Sequence, residues 1–168
     1  TGELLTLARD LGTPSAVWVG PGFDDAAAAA LGEFGAATVY VADAADLAAH
    51  PVAPKAEVLA SLVAEKAPVA VLIASTADGK EVAGRLAVRT DSGVITDAVA
   101  VSAELVATQS VFGGSTVVHS SVTRGTPIFT VRPNSTAPVA AATTPARTDV
   151  SVTLSEAATK ATVTGHTA

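Results

Sequence analysis

The order of apolar runs along the chain constrains its fold more than any other feature. Up to Arg89, short apolar runs at Ser15–Val19, 38–41 and 69–75 alternate with segments of helical periodicity. After Arg89, three β-rich runs follow with no helical segment between them, namely GVITDAVAVSA, LVATQSVFGGSTVVHSSV and TPIFTVRPN. Strands that alternate with helices predict a mainly parallel sheet with helices on both faces, and successive strands favour antiparallel pairing. We therefore expect a three-layer α/β/α fold with a C-terminal antiparallel β ribbon.

Helix boundaries are marked by residues with capping preferences. Leucines at helical spacing in the first turns end at Gly12, a common stop signal. Asp24 and Asp25 stand where a helix N-terminus favours negative charge. Further helices are predicted over residues 53–67 and 81–89. Because a helix in a parallel α/β sheet normally follows a strand, the helix that opens the chain predicts one more strand ahead of it, which an edited or cleaved boundary would have removed.

The sequence changes character again at Asn134. Residues 134–149 are rich in Pro, Ala, Ser and Thr and show no periodicity, which is typical of an irregular connection. A last strand is predicted over residues 150–154, and the polar residues after it resemble a segment that leads out to a linker. We therefore divide the chain into an α/β domain, residues 1–133, and a connecting segment, residues 134–168.

Composition excludes several classes of protein. The net charge is −6 and the basic residues are scattered, which argues against a nucleic-acid partner. Cysteine is absent, so disulfides, thiol nucleophiles and zinc–thiolate sites are excluded, and a reducing cytoplasm is a natural setting. No apolar run approaches the roughly 18 residues that span a bilayer, and no signal-peptide pattern opens the chain. We expect a cytoplasmic protein without direct membrane insertion.

The turn at residues 76–80 is the first candidate site. A loop at the carboxyl end of a parallel strand, leading into a helix, presents free backbone N–H groups that favour phosphate. Thr76 and Gly79 fit such a cofactor-binding turn, although the chain has neither a P-loop nor the two-glycine dinucleotide fingerprint. The alternative interpretation is an ordinary strand-to-helix turn in which Asp78 caps the helix.

Charged residues near the end of this helix form the second candidate. Arg85 and Arg89 are four residues apart on one helical face, and Asp91 lies just beyond the helix. Asp97 lies in the β run that follows, and Arg132 lies at the end of the TVRPN strand. Either a solvated face or an interface accounts for these residues.

No catalytic or metal-binding residue is predicted. His50, His119 and His166 have no carboxylate or second histidine at metal-ligand spacing. The serines lack a nucleophile-elbow context, so a Ser-His-Asp hydrolase is not expected. Phe112 and the two glycines that follow it most simply mark a bulge or tight bend in the ribbon.

Two segments, DGKEVAGRLAVRTDSGVITDAVAV and TVRPN, are similar to the N-terminal domain of the electron-transfer flavoprotein α subunit. The family usually has arginine where Gln109 stands and glycine where Asn134 stands. The resemblance implies a fold like that of adenine-nucleotide hydrolases. It also implies that the first strand of the domain and the C-terminal FAD-binding domain lie outside this sequence.

The same resemblance implies partners and a role. The expected partners are the β subunit, the protein's own C-terminal FAD domain, and acyl-CoA or other dehydrogenases in the complete bacterial complex. FAD is expected in the full-length heterodimer and not on this chain alone, which would be a scaffold with no catalysis of its own. The residues that the resemblance places at the partner interface are Asp78, Lys80, Arg85, Asp97 and Arg132. Arg132 is also a candidate for cofactor binding, together with Thr76 and Gly79.

Two other functions remain open at this point. One is a nucleotide-binding α/β module of universal-stress-protein type, which would use the turn at residues 76–80 for phosphate. The other is a small α/β enzyme, for which turnover without a partner would be the sign.

Overall fold

The computed structural model of this protein describes residues 1–165 and shows an α/β fold. The helices are α1 (Gly2–Leu11), α2 (Asp25–Glu33), α3 (Ala45–Ala49), α4 (Ala53–Lys66) and α5 (Ala77–Arg89). The strands are β1 (Ser15–Val19), β2 (Thr38–Ala42), β3 (Val71–Ala74), β4 (Val94–Val101), β5 (Val106–Val111), β6 (Thr116–Ser121), β7 (Ile128–Val131) and β8 (Ala146–Asp149). Short 3₁₀ helices lie at Phe112–Gly114 and Glu156–Thr159. His166, which sequence reasoning considered and set aside, lies outside the described residues.

The strands form two sheets. The first is wholly parallel, with the order β1-β2-β8. The second has the order β3-β7-β4-β5-β6, in which β3, β7 and β4 are parallel while β4, β5 and β6 are antiparallel. The predicted α/β class is confirmed, and the antiparallel ribbon is β5–β6. The parallel strands, however, are divided between two sheets instead of sharing one.

Helices cover both faces of the parallel strands in each sheet. Helices α1 and α2 pack on one face, where the core clusters contain Leu5 and Leu31 against the first sheet and Leu7 against the second. Helices α3 and α4 pack on the opposite face of the first sheet, and α4 and α5 on that of the second. All four residues of β7 are buried, because this strand lies between β3 and β4 and has helices on both of its faces.

Local sequence accounts for most helix ends. Gly12 ends α1 as predicted, and its amide donates to the carbonyl of Ala8. Asp24 is the N-cap of α2, since its side chain accepts from the amide of Ala27 at 2.8 Å. Helix α5 begins at Ala77, four residues before its predicted start, so the supposed turn at residues 76–80 is the cap and first turn of that helix.

The last strand lies earlier than predicted. Pairing with β2 occurs over Ala146–Asp149, inside the stretch expected to be irregular, and residues 150–154 form no regular strand. The prediction followed the apolar alternation of Val150, Val152 and Leu154, which pack as side chains against the core of the first sheet. The residues that hydrogen-bond to β2 lie just before these three in the chain. Which residues pair is decided by the register with β2, and composition does not reveal that register.

The segment after residue 134 also contacts the helices. The amides of Ala141 and Thr143 donate to the carbonyls of Glu33 and Gly32 at the end of α2. The guanidinium of Arg9 in α1 donates to the carbonyl of Val139 at 2.9 Å. A domain boundary between residues 133 and 134 stays a prediction.

Candidate functional site

Polar side chains converge where the parallel strands of the second sheet reach their carboxyl ends. We call this group the carboxyl-edge cluster, and it consists of Ser75, Lys80, Asp97, Thr130 and Arg132. Ser75 follows β3, and Lys80 lies in the first turn of α5. Asp97 lies within β4, Thr130 lies within β7, and Arg132 directly follows β7. Functional groups concentrate at this edge in α/β proteins, which makes the cluster the first candidate site.

Asp97 has an unusual backbone. Its φ is 62°, in the left-handed region that non-glycine residues rarely adopt, and the pairing of β4 with β7 shifts register between Ile95 and Ala98. The amide of Asp97 therefore bonds to a side chain, the Oγ1 of Thr130, at 2.9 Å. The Thr130 hydroxyl is fully buried and donates in turn to the Oγ of Ser75 at 3.0 Å. Strain of this kind, held by a complete hydrogen-bond network, is common at functional sites.

Asp97 and Arg132 form the charged part of the cluster. The Nη2 and Nε of Arg132 donate to the Oδ2 of Asp97 at 2.6 and 3.2 Å, and Nη2 also donates to the carbonyl of Ser110 at 2.9 Å. The Arg132 hydrogen bond lowers the pKa of Asp97 despite the opposing effect of burial, with further lowering from Ser75 and from the charges of Arg132 and Lys80. The pair joins β4, β5 and β7, and both side chains keep more than a third of their surface exposed.

The start of α5 is capped by Thr76. Its Oγ1 accepts from the amide of Gly79 at 3.0 Å, so the prediction that Asp78 caps the helix is wrong; Asp78 lies in the first turn. A threonine hydroxyl at the N-cap reaches the amide three residues on, which explains why threonine is favoured at the start of helices. Gly79 is buried, and an added Cβ would overlap the carbonyl of Ala74, so close packing requires glycine here. A phosphate-binding role for Thr76 and Gly79 stays a prediction.

The other predicted charges are dispersed. Arg85 donates to Glu81 one turn earlier at 2.7 Å on the exposed face of α5. Arg89 donates instead to Glu57 of α4 at 2.5 Å, and Asp91 pairs with Arg124. Arg85 is therefore not part of the carboxyl-edge cluster, whereas Lys80 acts on Asp97 through its charge.

Sequence reasoning missed the buried carboxylate of Glu57, which is only 7% exposed. Its two oxygens accept from the Oγ of Ser155 at 2.5 Å and the amide of Ser155 at 2.9 Å, besides Arg89. Burial raises the pKa of Glu57, but the Ser155 hydrogen bonds and the Arg89 charge outweigh it and leave that pKa below its usual value. The three residues tie α4, α5 and the C-terminal segment together.

The β5–β6 hairpin is a second feature of interest, and sequence reasoning interpreted its segment Gln109–Ser115 most simply as a bulge or tight bend. We call β5, β6 and the turn between them the neutral ribbon, because no Asp, Glu, Lys or Arg occurs from Leu105 to Thr123. Strand β6 is the outer strand of its sheet, and its Val117 is 59% exposed. At the tip, Phe112 is 84% exposed and has a left-handed backbone, beside Gly113 and Gly114 in the same region. The predicted tight bend is confirmed.

The rest of the described chain offers little chemistry. Within residues 1–165, no group of three or more His, Cys, Asp or Glu side chains could hold a metal ion. The Nδ1 of His50 lies 2.7 Å from the carbonyl of Ala161, and that of His119 lies 3.2 Å from the Oγ1 of Thr108. None of the helices within the same residues has the length and apolarity to cross a membrane.

The fold and the site define the class of protein. It is an α/β domain with the carboxyl-edge cluster at the ends of its parallel strands and with the neutral ribbon attached to the same sheet. A family model described as electron transfer flavoprotein domain matches residues 1–159. The electron transfer flavoprotein α subunit of Mycobacterium leprae is 46% identical over 131 residues, and that of Mycobacterium tuberculosis is 46% identical over the same length. The chain belongs to the electron transfer flavoprotein family and corresponds to the N-terminal domain of the α subunit.

The match covers 77% of this chain but 41% of each mycobacterial protein. The chain therefore spans well under half the length of the curated relatives that it matches. The resemblance seen in the VITDAVAV and TVRPN segments is confirmed by these comparisons.

Proposed function

We propose that this chain is the scaffold domain of an electron transfer flavoprotein α subunit. In this role it docks the β subunit and frames the FAD domain while electrons pass from acyl-CoA or other dehydrogenases to the respiratory chain. The domain performs no chemical step itself. Membership of the family supports the general role, and the neutral ribbon is the observation that carries the docking role.

The neutral ribbon lacks the usual protection of a sheet edge. Proteins normally place charged residues, especially lysine, or proline on outer strands, because unpaired N–H and C=O groups otherwise pair with other chains. Here β6 has neither, and five of its six residues are exposed. A large exposed aromatic at the tip is the residue type that anchors protein interfaces. An outer strand with these properties suits burial against the β subunit.

The carboxyl-edge cluster is the second proposed contact. Lys80, Asp97 and Arg132 converge there, and Asp78 lies in the same first turn of α5. Because Asp97 already neutralises Arg132, the charge of Lys80 is available to an acidic group on the FAD domain. Arg85, on the outer face of α5, would make a separate contact.

FAD is proposed to be held by the C-terminal domain and not by this chain. The amide of Gly79 in the first turn of α5 already donates to the side chain of Thr76. One fewer free amide is therefore left to bind a phosphate at this turn. The chain should remain colourless in visible light after incubation with excess FAD and desalting. A yellow protein would contradict this division between domains, and saturable binding of ATP or AMP would favour the universal-stress-type alternative.

Docking is tested with a matched pair of exposed apolar residues. Phe112→Ser removes the tip of the neutral ribbon, whereas Val69→Ser alters a 61% exposed valine ahead of β3, away from both proposed contacts. Calorimetric titration with the β subunit should show binding weakened by about tenfold or more for Phe112→Ser, as for an interface anchor, and unchanged for Val69→Ser. Equal affinities for both variants would refute docking through the ribbon.

A further inference from the structure

The neutral ribbon contains a single titratable side chain, that of His119. Between Leu105 and Thr123 the sequence has no Asp, Glu, Lys, Arg, Tyr or Cys, and it has this one histidine. Histidine is the side chain whose ordinary charge change falls between about pH 5 and 8. The ribbon is therefore uncharged in mild alkali and becomes positively charged on acidification.

His119 lies on the surface that a docked partner would cover. It belongs to β6, the outer strand of its sheet, and its side chain is exposed. Val117 lies two residues earlier, so it shares the same face of the strand, and it is 59% exposed. A partner that covers Val117 on this face therefore also covers the imidazole of His119.

The hydrogen bond of His119 is compatible with both charge states. Its Nδ1 lies 3.2 Å from the Oγ1 of Thr108, the residue opposite it on β5. A threonine hydroxyl can donate to a neutral imidazole nitrogen and can accept from the N–H of a charged one. Protonation of His119 thus changes the charge of the ribbon and leaves the pairing of β5 with β6 in place.

The surroundings of His119 within residues 1–165 do not neutralise a charged imidazole. The elements packed most closely against β6 are β5 and the 3₁₀ helix at the tip, and neither has a charged residue. The charged groups on adjoining segments are Asp91, Asp97, Glu104, Arg124 and Arg132. Four of these form the pairs Asp91–Arg124 and Asp97–Arg132. Glu104 lies four residues before Thr108, about 13 Å along an extended chain, where solvent and salt screen its charge.

Covering the ribbon consequently favours the neutral form of His119. Burying a charge without a partner costs much more free energy than burying a polar group that keeps its hydrogen bond. We propose that the β subunit docks onto the neutral ribbon only when His119 is deprotonated, so that acidification weakens docking. The surface that the β subunit places against His119 is then uncharged. This regulation rests on docking through the ribbon, which is the proposed function.

The size of the effect follows from proton linkage. If only the neutral form docks, affinity falls by up to about tenfold for each pH unit below the midpoint of the histidine titration. For a histidine that titrates in the ordinary range, the fall between about pH 8 and about pH 5.5 is about tenfold. A change of this size is readily measured by titration calorimetry.

The test is calorimetric titration with the β subunit at about pH 8, 6.5 and 5.5, with circular dichroism to verify folding at each pH. The natural protein should lose about tenfold in affinity across this range, whereas His119→Gln, which stays uncharged, should lose less than about twofold. His119→Lys carries a permanent charge and should bind about tenfold or more weakly at about pH 8. The matched control is His50→Gln, since His50 lies at the end of α3, outside the ribbon, and its removal should leave the pH dependence unchanged.

Proton release gives a second reading on the same variants. Titration at about pH 6.5 in two buffers of different ionisation enthalpy should show protons released on docking of the natural protein and none attributable to this site in His119→Gln. Equal pH dependence and equal proton release in the two proteins would overturn the proposal. Affinity that rises on acidification only when His119 is present would also overturn it, because a carboxylate of the β subunit would then face the imidazole.

Failure of docking itself is recognised separately. At about pH 8, where histidine is neutral, Phe112→Ser should still weaken binding of the β subunit. If it does and His119→Gln leaves the pH dependence unchanged, docking through the ribbon stands and its regulation by protons is refuted. If Phe112→Ser binds as tightly as the natural protein at this pH, docking through the ribbon is refuted, and the regulation with it.

Discussion

Replacing Glu57 should detach the C-terminal segment from α4. The variant Glu57→Ala removes a buried carboxylate that accepts from the amide and hydroxyl of Ser155 and from Arg89. The side chain of Arg89 is 41% exposed and can hydrogen-bond to water once Glu57 is removed, so its loss adds little to the free-energy cost of the substitution. The two Ser155 donors lose a charged acceptor, and each such bond is worth about 1.5–3 kcal/mol. We expect the free energy of unfolding to fall by roughly 3 kcal/mol. This value is at the lower end of the sum for the two bonds, because water can replace the lost acceptor at Ser155.

The assay is thermal unfolding followed by circular dichroism, together with amide exchange of residues 150–160. For a domain of this size, a loss of 3 kcal/mol corresponds to a fall in Tm of roughly 6–12 °C. Exchange of residues 150–160 should rise more than exchange of β7, which lies in the buried centre of the second sheet. The matched control is Glu81→Ala, which breaks an exposed pair with Arg85 and should change stability by less than about 0.5 kcal/mol.

Acid pH provides an independent check on the same group. Because the pKa of Glu57 is lowered on folding, its contribution is fully present above the pKa of an unfolded glutamate and is lost as pH falls through the lower folded value. The Tm difference between the natural protein and Glu57→Gln should therefore shrink on acidification. A Glu57→Ala variant as stable as Glu81→Ala, or a difference that grows in acid, would refute the reasoning.

Three further outcomes follow from the start of α5 and the carboxyl-edge cluster. Gly79→Ala places a Cβ against the backbone of β3 and should destabilise the protein by about 3 kcal/mol or more. Gly84→Ala places its Cβ in open space and should stabilise the protein by about 0.5–1 kcal/mol. Urea denaturation measures both changes, and equal effects would contradict the packing argument. Thr76→Ala removes the N-cap hydrogen bond and should cost about 1 kcal/mol in the same assay, a loss that Thr76→Ser should largely avoid. Arg132→Met should raise the pKa of Asp97 toward its ordinary value in a carboxyl NMR titration, and an unchanged pKa would mean that Ser75 and Lys80 dominate instead.

Local signals in the sequence predicted the first half of the fold well. The apolar run at Ser15–Val19 and the caps Gly12 and Asp24 lie where periodicity and capping preference place them. Helix α3 was missed, because Ala45–Ala49 is too short and too poor in large apolar residues to show a period. The division into two sheets and the register of β8 depend on pairing across long sequence separations, which a local pattern does not contain.

The candidate site was predictable only in part. Asp97 and Arg132 were named from sequence, but their direct ion pair depends on a bulge in β4 that the pattern of VITDAVAV does not reveal. The role of Glu57 was hidden because its partner Ser155 lies 98 residues away. The neutral ribbon had a readable signal, the absence of charge from Leu105 to Thr123, and it gained meaning once β6 was seen to be an outer strand.

The parallel pairing of β8 with β2 has a consequence for synthesis on the ribosome. Strand β2 is complete at Ala42, but its outer partner begins only at Ala146. At roughly 5–20 residues per second, the interval lasts on the order of 5–20 s. During this time every strand of the second sheet emerges, while β2 presents an unpaired backbone to other nascent chains. Strand β8, made after every strand of the second sheet, therefore closes a sheet whose members β1 and β2 were made before that second sheet.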